Sequence, residues 1–260
     1  MAKKNQDWLE FLIQCADIAD DISSHYFKAP GLTIIKKLDT TPVSQADLEI
    51  EKKLRKFAKE SNPDMALLGE EFGPCDEHEN LVFIIDPIDA TQNFIRGIPL
   101  YATLLAIQLN GEVIAGLVSA PQTRDRWQAV KDKGSFHNEM PIHVSKINTL
   151  SESQAFHGSL YGTEAKQRPK TAFNVLKKTY RQRGFGDYYA AMLIAMGCGE
   201  FALDFGIKPW DVAPLKIIVE EAGGVVTNLN GDFNLYSQDY VYSNNQFHNE
   251  ILSILTTPTT

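Results

Sequence analysis

The spacing of apolar residues near the start of the chain predicts a long amphipathic helix. Apolar side chains recur every three or four positions from Trp8 to Ile22, so they share one helical face. A second helix is predicted to begin after Ser44, because Ser44 and Asp47 have the spacing of a capping box and apolar residues follow at helical intervals. This capping role gives Asp47 a structural explanation.

Short apolar runs between turn signals predict a largely antiparallel sheet in the first half of the chain. Asn110-Gly111 is the strongest hairpin signal, because this dipeptide favours the tight turn that joins neighbouring strands. It separates the two longest runs, 101–109 and 112–119, and residues 134–138 are predicted to form a turn. Further strands are predicted at 31–37, 65–68, 81–85 and 126–130.

The second half alternates strands and helices, which is typical of an α/β unit. The pattern changes near residues 146–152, so we predict an N-terminal α+β half over 1–146 and a smaller α/β half over 147–260. Strands are predicted at 155–158, 201–204 and 225–228, and helices at 163–180, 188–196 and 212–222.

Composition excludes several classes of protein. The 260 residues are 43% hydrophobic, enough for a sizeable core, and the formal net charge of −8 disfavours a general nucleic-acid binder. No apolar run approaches the roughly 20 residues of a membrane span, and the polar start does not resemble a signal peptide, so we expect a cytoplasmic protein that does not bind membranes. Three cysteines without a C-x-x-C pair argue against a disulfide framework and a thiolate zinc site.

Two carboxylates directly follow a strand with a buried pattern. Asp86 and Asp89 lie three positions apart after the apolar run 83–85, with a proline between them. Buried carboxylates need positive partners, and this run contains no Lys or Arg, so a hard cation such as Mg²⁺ is the leading candidate. The backbone amides near Ala90 and Thr91 would face a phosphate at the start of a helix. The segment therefore predicts a place that holds metal and phosphate together.

Each single acidic candidate also has an ordinary structural explanation. Glu70 alone is most simply an exposed loop residue, and Asp211 alone resembles a helix N-cap. Asp39 could be a turn residue, but if it reaches Thr91 the pair could orient a water and accept its proton. A metal-binding role for these acids is favoured only if they lie together in the folded protein, which sequence periodicity cannot show.

A lone glycine pair later in the chain does not predict a cofactor. Gly184-Phe185-Gly186 lacks the third glycine and the preceding strand of a dinucleotide site. Arg181 and Arg183 beside it are surface charges by default, although one of them could guide an anionic substrate.

Three blocks of the sequence together resemble the inositol monophosphatase family. They are 69–71 (GEE), 86–94 (DPIDATQNF), and 210–213 (WDVA) followed by 221–224 (EAGG), in the family's order and spacing. The resemblance implies a Mg²⁺-dependent, lithium-sensitive phosphatase that is a homodimer. It implies a layered αβαβα sandwich with an antiparallel N-terminal sheet. One departure is Ala90, where the family usually has glycine, which adds a methyl group beside the phosphate site and restricts the backbone.

The resemblance also implies roles for the matching residues. Two or three Mg²⁺ ions would be bound by Glu70, Asp86, the Ile88 carbonyl, Asp89 and Asp211. Thr91 would lie beside the attacking water, with Glu70 or Asp39 taking its proton, and the amides of Ala90 and Thr91 would hold the phosphoryl oxygens. The organic half of the substrate would contact Asp204, Asp187 and Arg183.

The implied reaction is an in-line attack by water without a covalent phosphoenzyme. One metal, held by Glu70, Asp86 and the Ile88 carbonyl, would lower the pKa of a water. Asp86 would bridge to a second metal held with Asp89 and Asp211, so that both the attacking and the leaving oxygen are stabilised.

Within the family, the chain is most similar to the histidinol-phosphate phosphatase branch. The similarity lies in residues 93–106, in 119–121 before 126–129, and in 183–189. We therefore expect hydrolysis of L-histidinol phosphate, whose amine would pair with Asp204 and Asp187.

Two alternatives stay open. The same carboxylates could accept hydrogen bonds from a polyol, so inositol monophosphate or another small sugar or nucleotide phosphate is a possible substrate. A catalytically silent metal- or phosphate-binding regulator is a second alternative, which the joint presence of four ligand carboxylates and Thr91 argues against.

Overall fold

Two β-sheets, with helices between them and outside them, build the molecule. The computed structural model describes residues 5–36, 42–73, 80–160 and 168–257. A small antiparallel ribbon of β1 (Ile34–Lys36) and β2 (Pro42–Ser44) lies apart from both sheets. The helices are α1 (Asn5–Tyr26), α2 (Gln45–Ser61), α3 (Thr91–Ile95), α4 (Arg168–Leu176), α5 (Asp187–Ala195), α6 (Pro209–Glu221) and α7 (His248–Thr256).

The larger sheet has seven strands in chain order, β3 to β9. Neighbouring strands are antiparallel except for the parallel pair β3–β4, and Leu109 pairs with Glu112 across the predicted Asn110-Gly111 hairpin. The strands are β3 (Ala66–Gly69), β4 (Leu81–Asp89), β5 (Ala102–Leu109), β6 (Glu112–Ala120), β7 (Asp125–Val130), β8 (Ser135–His137) and β9 (Met140–Ile142).

The smaller sheet has five strands of mixed direction, in the order β11-β10-β12-β14-β13. The pairs of β10 with β11 and β12 are parallel, and those of β14 with β12 and β13 are antiparallel. The strands are β10 (Gln154–His157), β11 (Arg181–Arg183), β12 (Phe201–Phe205), β13 (Val225–Asn228) and β14 (Asp239–Ser243).

The layers stack as helix, sheet, helix, sheet, helix, which confirms the predicted αβαβα sandwich. Helices α1 and α2 cover one face of the larger sheet, α5 and α6 lie between the sheets, and α4 and α7 cover the outer face of the smaller sheet. Side chains along β5 alternate between the two faces of the larger sheet. Leu104 and Ala106 pack in the core between the two sheets, and Leu105 and Ile107 pack in the core beneath α1 and α2.

Several boundaries differ from the sequence predictions. The predicted turn at 134–138 is wrong, because Ser135–His137 form β8 and the turn lies at 138–139. The predicted helix over 163–180 is shorter: α4 covers Arg168–Leu176, Arg181–Arg183 form an exposed edge strand, and residues 163–167 lie outside the described residues. Neither β14 nor α7 was predicted.

The predicted division at residues 146 and 147 stays a prediction. The last strand of the larger sheet ends at Ile142 and the first strand of the smaller sheet begins at Gln154. However, one apolar core contains residues of both sheets, such as Leu104 and Ala202. Within the described part of the chain, no helix is both long and apolar enough to span a bilayer.

Close packing of α6 on β6 depends on Gly116. A Cβ atom at this position would lie 2.6 Å from Ile217 Cγ2 and 3.0 Å from Pro214 Cα, so any larger residue would push α6 away from the sheet. This contact fixes the helix that carries Asp211.

We therefore predict that Gly116→Ala lowers the free energy of unfolding by about 1–3 kcal/mol, the usual cost of overpacking. Chemical denaturation followed by circular dichroism measures the change. Gly184→Ala is the matched control, because its Cβ would lie 3.4 Å from the nearest neighbouring side chain, that of His157, which is an ordinary van der Waals contact. Equal stabilities of the two variants would contradict the packing argument.

Candidate active site

A bulge in β4 brings two carboxylates to the same side of the strand. Asp86 pairs with Leu104 and Asp89 with Ala102, so β4 has one residue more than β5 in this stretch. Side chains three residues apart on a regular strand point to opposite faces of the sheet. The extra residue of the bulge turns Asp89 to the same face as Asp86. The strand predicted over 81–85 therefore ends too early, since β4 continues through the bulge to Asp89.

Helix α6 supplies the third carboxylate. Asp211 is the third residue of this helix and not its N-cap, a position held by Lys208, whose backbone N–H donates to Asp211 Oδ2 at 2.7 Å. Carboxylate oxygens of Asp86, Asp89 and Asp211 all lie within 4.8 Å of one another. The fold thus unites acids from distant parts of the chain.

The electrostatics of this cluster favour a bound cation. Burial raises the pKa of Asp86 well above its ordinary value, and the charges of Glu70, Asp89 and Asp211 raise it further. Burial likewise raises the pKa of Asp89, and that of Asp211 to about 7. Asp86 Oδ1 is buried without a hydrogen-bond partner among the described residues. An oxygen-rich, uncompensated negative cluster fits a hard divalent ion.

Glu70 lies near the cluster because β3 runs parallel to β4. Its backbone N–H donates to the Ile85 carbonyl at 3.2 Å, directly after β3 ends at Gly69, which pairs with Ile85 of β4. Its carboxylate is outside the 4.8 Å group, but its charge raises the pKa of both Asp86 and Asp211. Glu70 therefore faces the same space as the three aspartates.

Thr91 contacts both the β4 bulge and helix α2. Its hydroxyl lies 3.0 Å from the Ile88 carbonyl and 3.4 Å from Asp47 Oδ1, so it can donate to either. The other oxygen of Asp47 accepts from the Ser44 N–H at 2.9 Å and the Ser44 hydroxyl at 2.5 Å, which confirms the capping box.

Asp47 is one site residue that sequence reasoning missed. It is fully buried, and burial raises its pKa to about 6, with the charge of Glu70 adding to the rise. The sequence did indicate this residue, because Asp47 lies on the apolar face of α2 with Ile50 and Leu54. A carboxylate buried on such a face is costly unless it has a structural or functional partner. The predicted partner of Thr91, Asp39, lies outside the described residues.

Of the three predicted substrate residues, Asp187 and Asp204 lie near the acidic cluster, and Arg183 lies away from it. Asp187 begins α5 and lines the cavity beside the cluster, and the neighbouring Tyr188 N–H donates to Asp89 Oδ2 at 2.7 Å. Asp204 on β12 has its pKa raised by burial and then by the charges of Asp187 and Asp211. Arg183 instead lies exposed on the edge strand β11, and it is not among the residues lining that cavity.

The cavity has a volume of about 610 Å³, which suits a small metabolite. The described residues lining it include Glu70 and the three cluster aspartates, and Lys208 is the basic side chain among them. Lys208 was not predicted, although its place directly before the Pro-Trp-Asp helix start was visible in the sequence.

Comparisons with known proteins agree with this site. The model of the inositol monophosphatase family matches residues 4–257. The chain belongs to the inositol monophosphatase family. The histidinol-phosphatase of Streptomyces coelicolor is 36% identical over 92% of this chain and 93% of its own, and that of Mycobacterium tuberculosis is 33% identical over 96% and 98%. The solved Thermotoga maritima IMPase superimposes with a TM-score of 0.85 at 31% identity, covering 96% of each chain.

This inositol monophosphatase family member is thus a phosphoric monoester hydrolase, and its acidic cluster could bind metal. The predicted fold and enzyme class are confirmed.

Ala90 occupies a backbone conformation that explains why glycine is usual there. Its φ of 63° and ψ of 45° are left-handed, which costs an L-residue roughly 1–2 kcal/mol. Asn93 and Phe94 donate to its carbonyl, so the amides of Ala90 and Thr91 lie at the N-terminal end of α3. The methyl group does not prevent the turn, but the protein is strained at this point.

We predict that Ala90→Gly raises the free energy of unfolding by about 0.5–1 kcal/mol, because relief of the left-handed strain exceeds the added entropy of the unfolded chain. Urea denaturation measures this change. The control Ala58→Gly, within helix α2, should lower the free energy of unfolding by about 1 kcal/mol or more. Loss of stability in both variants would contradict the strain at Ala90.

Proposed function

We propose that this protein is a Mg²⁺-dependent phosphomonoesterase that converts L-histidinol phosphate to L-histidinol and phosphate. The observation that carries the proposal is the close group of Asp86, Asp89 and Asp211, whose carboxylate oxygens lie within 4.8 Å of one another. Asp86 is buried, and its Oδ1 has no hydrogen-bond partner among the described residues. The names of the two histidinol-phosphatase relatives support the substrate.

The metal would be held by oxygen atoms alone, which suits Mg²⁺. We assign two or three ions to Glu70, Asp86, the Ile88 carbonyl, Asp89 and Asp211. When bound, Mg²⁺ supplies Lewis-acid stabilisation of phosphoryl oxygens and favours deprotonation of water at neutral pH.

The protein's own groups would orient the attacking water. Thr91 Oγ1 lies within donating distance of the Ile88 carbonyl and of Asp47, so a hydroxyl held by either bond can accept a hydrogen bond from a water in the cavity. Asp47, Glu70 or Asp39 would take the proton, and Asp47 has a pKa raised to about 6 by burial, which suits a base near neutrality. The amides of Ala90 and Thr91 would donate to phosphoryl oxygens.

An excess of acids beyond the metal ligands favours a cationic substrate. Asp187 and Asp204 lie near Asp89 and Asp211, and burial together with mutual repulsion raises the pKa of Asp204. A primary amine on the substrate would offset this repulsion, whereas a neutral polyol would not. Arg183 is kept as a proposed substrate contact from the sequence alone, since it is exposed on the edge strand β11 and does not line this cavity.

The alternative substrate is inositol monophosphate, which the name of the Thermotoga maritima IMPase supports. We further propose a cytoplasmic homodimer inhibited by lithium. A catalytically silent regulator is the remaining alternative, and it would bind Mg²⁺ without releasing phosphate.

Phosphate release from L-histidinol phosphate, inositol 1-phosphate and a nucleotide monophosphate, each with Mg²⁺ and then with added lithium, tests the function. We expect the highest kcat/KM for L-histidinol phosphate, no release in EDTA, and inhibition by lithium. Preference for inositol 1-phosphate would replace the proposed substrate, and no release from any compound would favour the regulator.

We predict that Asp89→Asn lowers kcat by at least 10³-fold while the fold persists, because the amide keeps the hydrogen bond from Tyr188 but loses the charge that holds metal. Melting in EDTA should be unchanged or higher than in the parent, since a repelling charge is gone, and stabilisation by added Mg²⁺ should shrink. Asp64→Asn, in the exposed loop before β3, is the control. If Asp89→Asn keeps full Mg²⁺-dependent activity, Asp89 is not a metal ligand.

A further inference from the structure

Helix α2 carries a second buried carboxylate, that of Glu51, four residues after Asp47. Residues four apart lie on the same face of a helix, so both carboxylates leave α2 on one side. Asp47 lies 3.4 Å from the Thr91 hydroxyl. The side chain of Glu51 is completely shielded from solvent, and a carboxylate buried in this way is stable only with partners.

Three donors converge on the Glu51 carboxylate. Its Oε2 accepts from the backbone N–H of Glu71 at 2.7 Å, and its Oε1 accepts from the backbone N–H of Phe72 at 3.3 Å. Arg55, one turn further along α2, donates from Nε to Oε1 at 2.8 Å and so balances the charge. The two backbone amides that Glu51 holds belong to the residues directly after Glu70.

Gly69, directly before Glu70, allows this carboxylate to come close to the chain. A Cβ atom at Gly69 would lie 2.0 Å from Glu51 Oε1 and 2.4 Å from its Cδ, so any other residue would displace the carboxylate. Gly69 pairs with Ile85 of β4, and the Glu70 N–H donates to the Ile85 carbonyl. The backbone is therefore held by β4 up to Glu70 and by Glu51 immediately after it.

We propose that Glu51 is a positioning residue for the metal site, which holds the Glu70 carboxylate toward the three cluster aspartates. The inference rests on the proposed function, in which Glu70 binds Mg²⁺. Residues 70–73 form neither helix nor strand, so the hydrogen bonds to Glu51 replace the regular structure that holds the other ligands. Glu70 is then in place before the ion arrives, which lowers the entropic cost of binding it.

Glu51→Gln tests this role, because it keeps the size of the side chain but leaves one accepting oxygen for the two amides. Calorimetry without substrate should show the Kd for Mg²⁺ raised about tenfold, and the Mg²⁺ concentration that gives half-maximal phosphate release should rise equally. Glu221→Gln is the matched control. The Glu221 carboxylate also holds a loop, accepting from the backbone N–H of Asp132 at 2.9 Å, Lys133 at 3.1 Å and Gly134 at 2.8 Å, and it does not line the carboxylate cavity. Its Kd should stay within about twofold of the parent.

Hydrogen exchange in the parent protein tests the same contact without any substitution. In EDTA, the backbone amides of Glu71 and Phe72 should exchange at least about tenfold more slowly than those of an unstructured chain, because Glu51 holds them before metal binds. NMR measures this exchange residue by residue. Exchange of both amides at the unstructured rate would overturn the positioning role, even if Glu51→Gln does not fold.

The Mg²⁺ titrations also separate this inference from the proposed function. An unchanged Kd in Glu51→Gln, or an equal rise in Glu221→Gln, would overturn the positioning role while the phosphatase stands. A parent that binds Mg²⁺ but releases no phosphate from any ester would remove the phosphatase alone, and a tenfold weaker Kd in Glu51→Gln would still support the positioning role. A parent that binds no Mg²⁺ would overturn both.

Discussion

Repulsion among buried carboxylates is the constraint on which the rest of this structure depends. Carboxylate oxygens of Asp86, Asp89 and Asp211 lie within 4.8 Å of one another, and burial together with the charges of neighbouring carboxylates raises the pKa of each. Leaving such a group unpaired costs several kcal/mol, which a protein tolerates only where function requires it. Divalent cations remove this cost, so metal binding and the stability of the site are coupled.

Each layer of the fold contributes one part of the arrangement. The bulge in β4 turns two aspartates to one side, the parallel pair β3–β4 brings Glu70 to the same edge, and α6 carries Asp211 across the larger sheet. The close contact at Gly116 sets the distance of that helix from the sheet. The site is thus built on regular elements, which hold ligands more rigidly than loops do.

Much of this could be predicted from the sequence, and the failures have physical causes. Long periodic elements such as α1 and the β5–β6 hairpin were predicted because their patterns are local. The β4 bulge was not, since Asp-Pro-Ile-Asp is compatible with both a turn and a bulged strand, and only pairing with β5 decides between them. Asp47 was explained by its cap alone, because its contact with Thr91, 44 residues away, is invisible to local reasoning. The resemblance to a family, and not sequence periodicity, was the basis for predicting that the distant acids form one site.

The central claim is that these acids bind divalent ions, and a crystal soaked in Mn²⁺ as a stand-in for Mg²⁺ tests it most directly through anomalous density. The account predicts at least one peak with oxygen atoms of Asp86, Asp89 and Asp211 at about 2.0–2.3 Å. Three aspartates pointing apart, with no peak among them at saturating ion, would contradict it.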